Sequence, residues 1–300
     1  MSEEPPAGDA ARTAEPRPGG TWGSSLTSEE FAAIRAVGFE PVGQVFGAAV
    51  FAAGSFTGAD CPGAGSSGPP RAQVSGQAGP GSFGPLVRAM YQARHTALDR
   101  MSAECARLGG HGVVGVRLAR GPFTLGGLEF TAIGTAVRAS GAVAGPRAPF
   151  TSDVSGQDFA KLVMAGWVPA GFALGISVGA RHDDRATTRQ ARWISGNAEI
   201  AGWTELVIEA RRDARRQLEQ DVTRLGAEGV VIAAMELRVR SRDCPAAVGR
   251  RDHIVEATLT GTAIVRFSAA GRPAGSPLAV MSLGPRQPSR ARVFGGPPPR

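Results

Sequence analysis

The chain repeats itself. Leu26-Thr-Ser-Glu-Glu-Phe-Ala-Ala-Ile-Arg-Ala-Val-Gly-Phe-Glu-Pro-Val-Gly-Gln-Val-Phe-Gly47 returns 128 residues later as Val154-Ser-Gly-Gln-Asp-Phe-Ala-Lys-Leu-Val-Met-Ala-Gly-Trp-Val-Pro-Ala-Gly-Phe-Ala-Leu-Gly175. Phe31, Gly38, Pro41, Gly43 and Gly47 match Phe159, Gly166, Pro169, Gly171 and Gly175. A second block recurs at an offset of 117, where Ala93-Arg94 and Arg107-Leu108-Gly109 match Ala210-Arg211 and Arg224-Leu225-Gly226. A third recurs at 127, where Glu129, Thr131 and Gly134-Thr135-Ala136 match Glu256, Thr258 and Gly261-Thr262-Ala263. Offsets that change between blocks mean that loops differ while elements persist. Such internal similarity constrains the fold more than any single motif.

One unit reads as a short helix, a strand, a long helix and a hairpin. Ser28 is the expected N-cap of a helix over Glu29–Val37, which Gly38 ends. A strand follows over about 40–53. Met90, Ala93, Ala97, Met101, Cys105 and Leu108 recur every three or four residues, one apolar stripe of a helix over about 86–108. Strands over about 111–119 and 128–138 form the hairpin. Val207, Ala210, Ala214, Leu218, Val222 and Leu225 give the second unit the same stripe, with strands expected over about 167–179, 229–239 and 254–267. The fold class is α+β: two tandem α-β-α-β-β repeats, small mixed sheets packed on long helices, and disordered tails. A helical crossover predicts that the first two strands of each unit pair in parallel and the third runs antiparallel. The domains expected are a tail over 1–25, a first unit over 26–140 with a Gly/Pro/Ser-rich mobile loop at 54–85, a second unit over 151–268 and an Arg/Pro-rich tail over 269–300. One helix covers only one sheet face, so the remaining sheet edges predict self-association.

Charge argues little about partners. The chain carries +7 with 33 Lys and Arg, but five of the arginines lie in 269–300, and Lys161 is the lone lysine. Nucleic-acid binding by the folded part is therefore not expected, and weak binding of an anionic partner by the Arg-rich tail is a lesser alternative. No apolar run is long enough to span a bilayer. Three scattered cysteines fit no disulfide framework, and with no apolar leader at the start they point to a reducing cytoplasm.

The stretch Ala106-Arg107-Leu108-Gly109-Gly110-His111-Gly112-Val113-Val114-Gly115 after the long helix, and the closing Thr131-Ala132-Ile133-Gly134-Thr135-Ala136-Val137, resemble the YbjQ-like family. A weaker form recurs at 225–231 and 259–265. The resemblance implies small α+β units that form ring-like oligomers, and the family's name implies a transition metal.

The residues themselves supply little chemistry. No pair forms CxxC, and no two histidines stand at i, i+4. Cys105 aligns with Val222, a core position; His95 aligns with Arg212 and His111 with Glu228, both polar positions. The candidate metal ligands are Cys61, Cys244, His182, Asp183 and Asp184: the two cysteines lie in loops of different units, and His182-Asp183-Asp184 is expected in a solvated loop. Gly63-Ala64-Gly65-Ser66-Ser67-Gly68 lacks the Gly-Lys-Ser/Thr ending of a phosphate loop. Glu205, Glu209 and Asp213, with Arg212 and Arg216, predict an exposed salt-bridged helix face. The expectation is a non-enzymatic cytoplasmic module, oligomeric and binding a metal or ligand. The alternative is an enzyme or cation site between units around Glu129 and Glu256, with His111 or His253.

Overall fold

The computed structural model describes residues 23–51, 72–76, 83–124, 127–141, 148–192, 198–244 and 249–267. The 269–300 tail, Cys61, most of the 1–25 tail and most of the 54–85 loop lie outside the described residues. The elements are α1 (Ser28–Ala36), β1 (Phe39–Phe51), β2 (Gln73–Val74), α2 (Gly84–Arg107), β3 (Gly112–Pro122), β4 (Leu128–Ala139), β5 (Phe150–Thr151), α3 (Gly156–Met164), β6 (Trp167–His182), α4 (Arg185–Arg192), α5 (Ala201–Arg224), β7 (Gly229–Asp243) and β8 (Arg251–Arg266).

Local chemistry sets the ends of these elements. Thr27, one residue before the expected Ser28, caps α1. Its hydroxyl accepts from Glu30 N at 3.2 Å, while Glu30 Oε2 accepts from Thr27 N at 2.9 Å. This reciprocal capping box satisfies two helix-terminal donors. Ser155 caps α3 in the same place. Gly109 and Gly226, at φ of 69° and 66°, end the two long helices in a conformation that disfavours side chains.

Two four-stranded sheets result, in the orders β1-β4-β3-β5 and β2-β6-β8-β7. All pairs are antiparallel except the two-residue contact of β3 with β5. The expected parallel pair is therefore corrected. In each half the third strand inserts between the first two, which run in the same direction without touching. The long helix crosses two strand widths, and the hairpin fills the space beneath it. Gly134 and Gly261 occupy these central strands opposite bulges in β3 and β7. A Cβ on Gly134 would stand 2.5 Å from Val113 Cγ1, and one on Gly261 would stand 2.5 Å from Val231 O. Close backbone approach, as expected, is their reason.

Each long helix lies almost on its sheet. A Cβ on Gly47 would stand 2.0 Å from Ala97 O, and one on Gly175 2.1 Å from Ala214 O. Helix α2 and sheet β1-β4-β3 share one core with Val45, Met90, Ala97, Met101 and Val113. Phe172, Leu174, Ile176 and Val178 of β6 join the same core. Strand β6 is thus buried on both faces, its alternate residues belonging to α5. The halves also exchange strands. Gln73 and Val74, from the stretch expected as a mobile loop, pair with β6, and β5 pairs with β3. Gly23 belongs to the fold as well, since its carbonyl accepts from Gln44 N at 2.8 Å.

Candidate functional site

The two hairpins end on different neighbours. Along β3 runs the segment before α3. Phe150 N donates to His111 O at 3.2 Å, Ser152 N to Val113 O at 2.9 Å, Val116 N to Ser152 O at 2.9 Å, and Gly115 N to Val154 O at 3.0 Å. Helix α3 then sets Phe159 edge-on to Phe39, centroids 5.0 Å apart, and stacked on Phe150 at 5.8 Å. Ile34, Val114, Val137 and Val154 complete this small core. Strand β7, the match of β3, stands at the edge of its sheet with no strand beyond it among the described residues. Val231, Ile232, Met235 and Val239 on it are 37%, 45%, 49% and 57% exposed. Val114, which aligns with Val231, is 0% exposed. A long apolar edge strand is a template for another chain.

Charged groups mark the contact between the halves. Glu256 on β8 receives Arg120 Nη1 at 2.9 Å and lies 3.9 Å from Arg94 Nη2. Arg94 is buried over the Phe130 ring; burial lowers its guanidinium to about 10, against the pull of Glu256. Tyr91 on α2 donates to Leu174 O at 3.3 Å and accepts from Ile176 N at 2.8 Å, and burial pushes its hydroxyl up to about 12. Carboxylates on the long helices hold strand donors in both halves: Glu104 Oε2 accepts from Phe46 N at 2.7 Å, and Asp221 Oδ2 from Leu174 N at 2.9 Å. Glu104 and Asp221 match at the 117 offset, a signal present in the repeat. Asp213 is not on the expected exposed face. It is buried, accepting from Ser177 Oγ at 2.7 Å and Gly76 N at 3.1 Å.

Among the metal candidates, the fold joins His182 and Cys244 and adds Asp252. Their donor atoms lie within 4.8 Å of one another, all buried. The 182–184 run is not the expected solvated loop. His182 and Asp183 are each 6% exposed, because β6 continues through His182 and pairs it with Asp252. Asp183 points elsewhere, to Trp203 Nε1 at 3.1 Å and His253 Nε2 at 2.9 Å. Asp184 accepts from Thr187 N at 2.6 Å at the start of α4, and this bond holds its carboxyl below the usual range. Cys105 is the expected inert core thiol: burial raises it to about 12, and it donates to Gly112 O at 3.3 Å. His95 is half-buried and stacked on Tyr91, only partly in the solvent expected for it. His111 Nδ1 accepts from Ala139 N at 3.3 Å.

A family model described as "Putative heavy-metal-binding" matches residues 72–140. The encapsulin nanocompartment protein Rv1762c of Mycobacterium tuberculosis (strain ATCC 25618 / H37Rv) is 36% identical over 216 residues, 69% of this chain and 75% of that protein. The chain belongs to the YbjQ-like family. No solved structure matches it. The family model covers residues 72–140, from β2 through β4; the likeness of the second half rests on its repeated topology.

The expectation of a metal- or ligand-binding module is overturned. The relative that aligns with 69% of this chain is named for a nanocompartment, not for a bound ion. The metal implied by the family's description also fails on the side chains present. His182 Nδ1 is already bonded to Asp252 Oδ1 at 2.9 Å, and Arg242 Nε stands 3.4 Å from Asp252 Oδ2. A dication held by these donors would displace the proton between His182 and Asp252 and sit beside the Arg242 guanidinium, whose charge opposes it, so the cluster is a poor fit for a resident heavy metal. Glu256 is likewise neutralised by arginine, which removes the basis for a cation site with Glu129. Among the described residues, no helix is long and apolar enough to cross a membrane.

Proposed function

We propose that this YbjQ-like chain is a self-assembling structural protein, a subunit of a nanocompartment in the manner its relative's name implies, with no catalytic role. The open β7 edge, apolar over residues 229–235, carries the reading. Its first seven residues, 229–235, carry no charge and expose Val231, Ile232 and Met235, the kind of surface that soluble monomers cover with other chain; charge begins beyond it, at Glu236, Arg238, Arg240 and Arg242. The chain covers the equivalent edge of its own first half and leaves this one for another molecule. The native mass of the purified full-length protein tests it. Light scattering after size exclusion, and negative-stain microscopy, should give closed particles whose mass is a multiple of 30.8 kDa. A monomer at every concentration up to about 100 μM overturns it, since apolar interfaces of standard size bind more tightly than that.

A further inference from the structure

We infer that the contact joining the two halves inside one chain is repeated between chains. The β7 side of one copy takes the β1 side, α1 and the Gly23–Leu26 segment of the next. The inference rests on the self-assembly reading and names its contact.

Inside the chain, the far side of the first half meets the near side of the second. The far side is the β3 edge with Tyr91 and Arg94 of α2. The near side is the segment before α3, Phe159, and Leu174 and Val178 of β6. The repeat provides both surfaces a second time, and both stand in solvent. On the far side of the second half, Val231 is exposed where Val114 is covered, and Ile208 is 40% exposed where Tyr91 packs. On the near side of the first half, Phe46 and Val50 are 49% and 46% exposed, whereas their matches Leu174 and Val178 are 0% and 2%. Phe31 is half-exposed and its match Phe159 is fully buried.

The segment that would lie on β7 is already shaped for it. Ser152 Oγ reaches Thr262 Oγ1 at 3.1 Å, and its match Ser24 Oγ reaches Thr135 Oγ1 at 3.3 Å. Each segment is thus held to its own sheet in the same way. Only the one before α3 has an edge strand on its other side.

Charge agrees. Arg94 and Glu256 form an ion pair across the internal contact. Their matches are Arg211, which is exposed, and Glu129, and neither forms an ion pair among the described residues. Stacking the halves of two chains as the halves of one are stacked brings Arg211 of one copy to Glu129 of the next. Arg215 stands where Leu98 is buried, so the contact between chains is more polar than the one within, and salt weakens it. Two different surfaces meet, so the contact is head-to-tail and grows until it closes.

Surface variants of the full-length protein test this. Phe46→Asp blocks one surface and Val231→Asp the other, at positions exposed in the single chain; circular dichroism checks that both stay folded. Each alone should sediment as a monomer, and an equal mixture should form a dimer and nothing larger. Arg211→Glu should weaken assembly at least tenfold, and adding Glu129→Arg in the same chain should restore it. If Val231→Asp breaks assembly while Phe46→Asp leaves it intact, β7 pairs with itself about a twofold axis and the inference is overturned. It is also overturned if the wild type assembles and both blocked variants still do, an outcome that leaves the self-assembly reading standing. A monomeric wild type removes both.

Discussion

Strands β3 and β7 are one design in two settings. The first ends against the segment that leads into α3, its backbone bonded and its valines dry. The second ends at the boundary of its sheet with the matching side chains in water. Nothing in the strands themselves accounts for this: both carry a bulge opposite a central glycine, and both follow a long helix closed by glycine. The difference lies in what comes next along the chain. A second copy of the unit follows the first, whereas among the described residues nothing covers the second; on the proposed reading that cover is another molecule. An interface can therefore be finished within a chain in one place and left for assembly in another.

The comparison breaks at once if the halves are not packed alike. Gly47→Ala and Gly175→Ala should each cost more than about 3 kcal/mol, because the added methyl meets helix backbone that cannot step aside. Chemical denaturation should find the two losses similar, and a mild effect in one half only would show that the helices sit differently. Phe159→Ala and Phe31→Ala sharpen the contrast between covered and open edges. The first should cost about 3 to 5 kcal/mol at any protein concentration, as for a large buried side chain. The second should cost well under half of that in dilute protein, with the loss growing as concentration brings copies together.

Asp153 gives the smallest and most specific test. Its match is Ser25. Burial raises its carboxyl above the usual range, while Thr262 donates to Oδ1 at 2.5 Å and Oδ2 is buried without a partner. A carboxyl raised in the folded state binds more protons there than in the unfolded chain. It therefore costs stability at neutral pH, and the cost fades as pH falls through the folded value. Asp153→Ser should stabilise by about 1 kcal/mol at pH 7, with little gain left near pH 4. Thermal melts across that range check it, and a gain that grows on acidification would refute the sign.

The sequence carried the architecture because repetition turns weak local signals into paired ones. Gly47 alone is a glycine in a strand; matched with Gly175 it marks a helix laid against a sheet. Glu104 and Asp221 were readable by the same comparison and serve the same backbone group. The order of strands was not readable, because a helical crossover fixes direction but not whether a third strand slips between. Nor was the buried carboxylate of Asp213, which aligns with Thr96 and has no counterpart to give it away. The meeting of His182, Cys244 and Asp252 depends on how far β6 and β8 extend past the matched region, and no repeat reports on that. The open edge was foreseen as a class of surface. Its address on β7 needed coordinates, because only they show which of two similar strands has company.

The exchange of β2 and β5 has a consequence for how the gene must be kept. Each half lends the other a strip of backbone, so neither is a finished object if the chain is divided near residue 145. A cut there would leave Gln73 and Val74 without β6 and Phe150 and Thr151 without β3, so the two pieces would have to reassemble to complete either sheet.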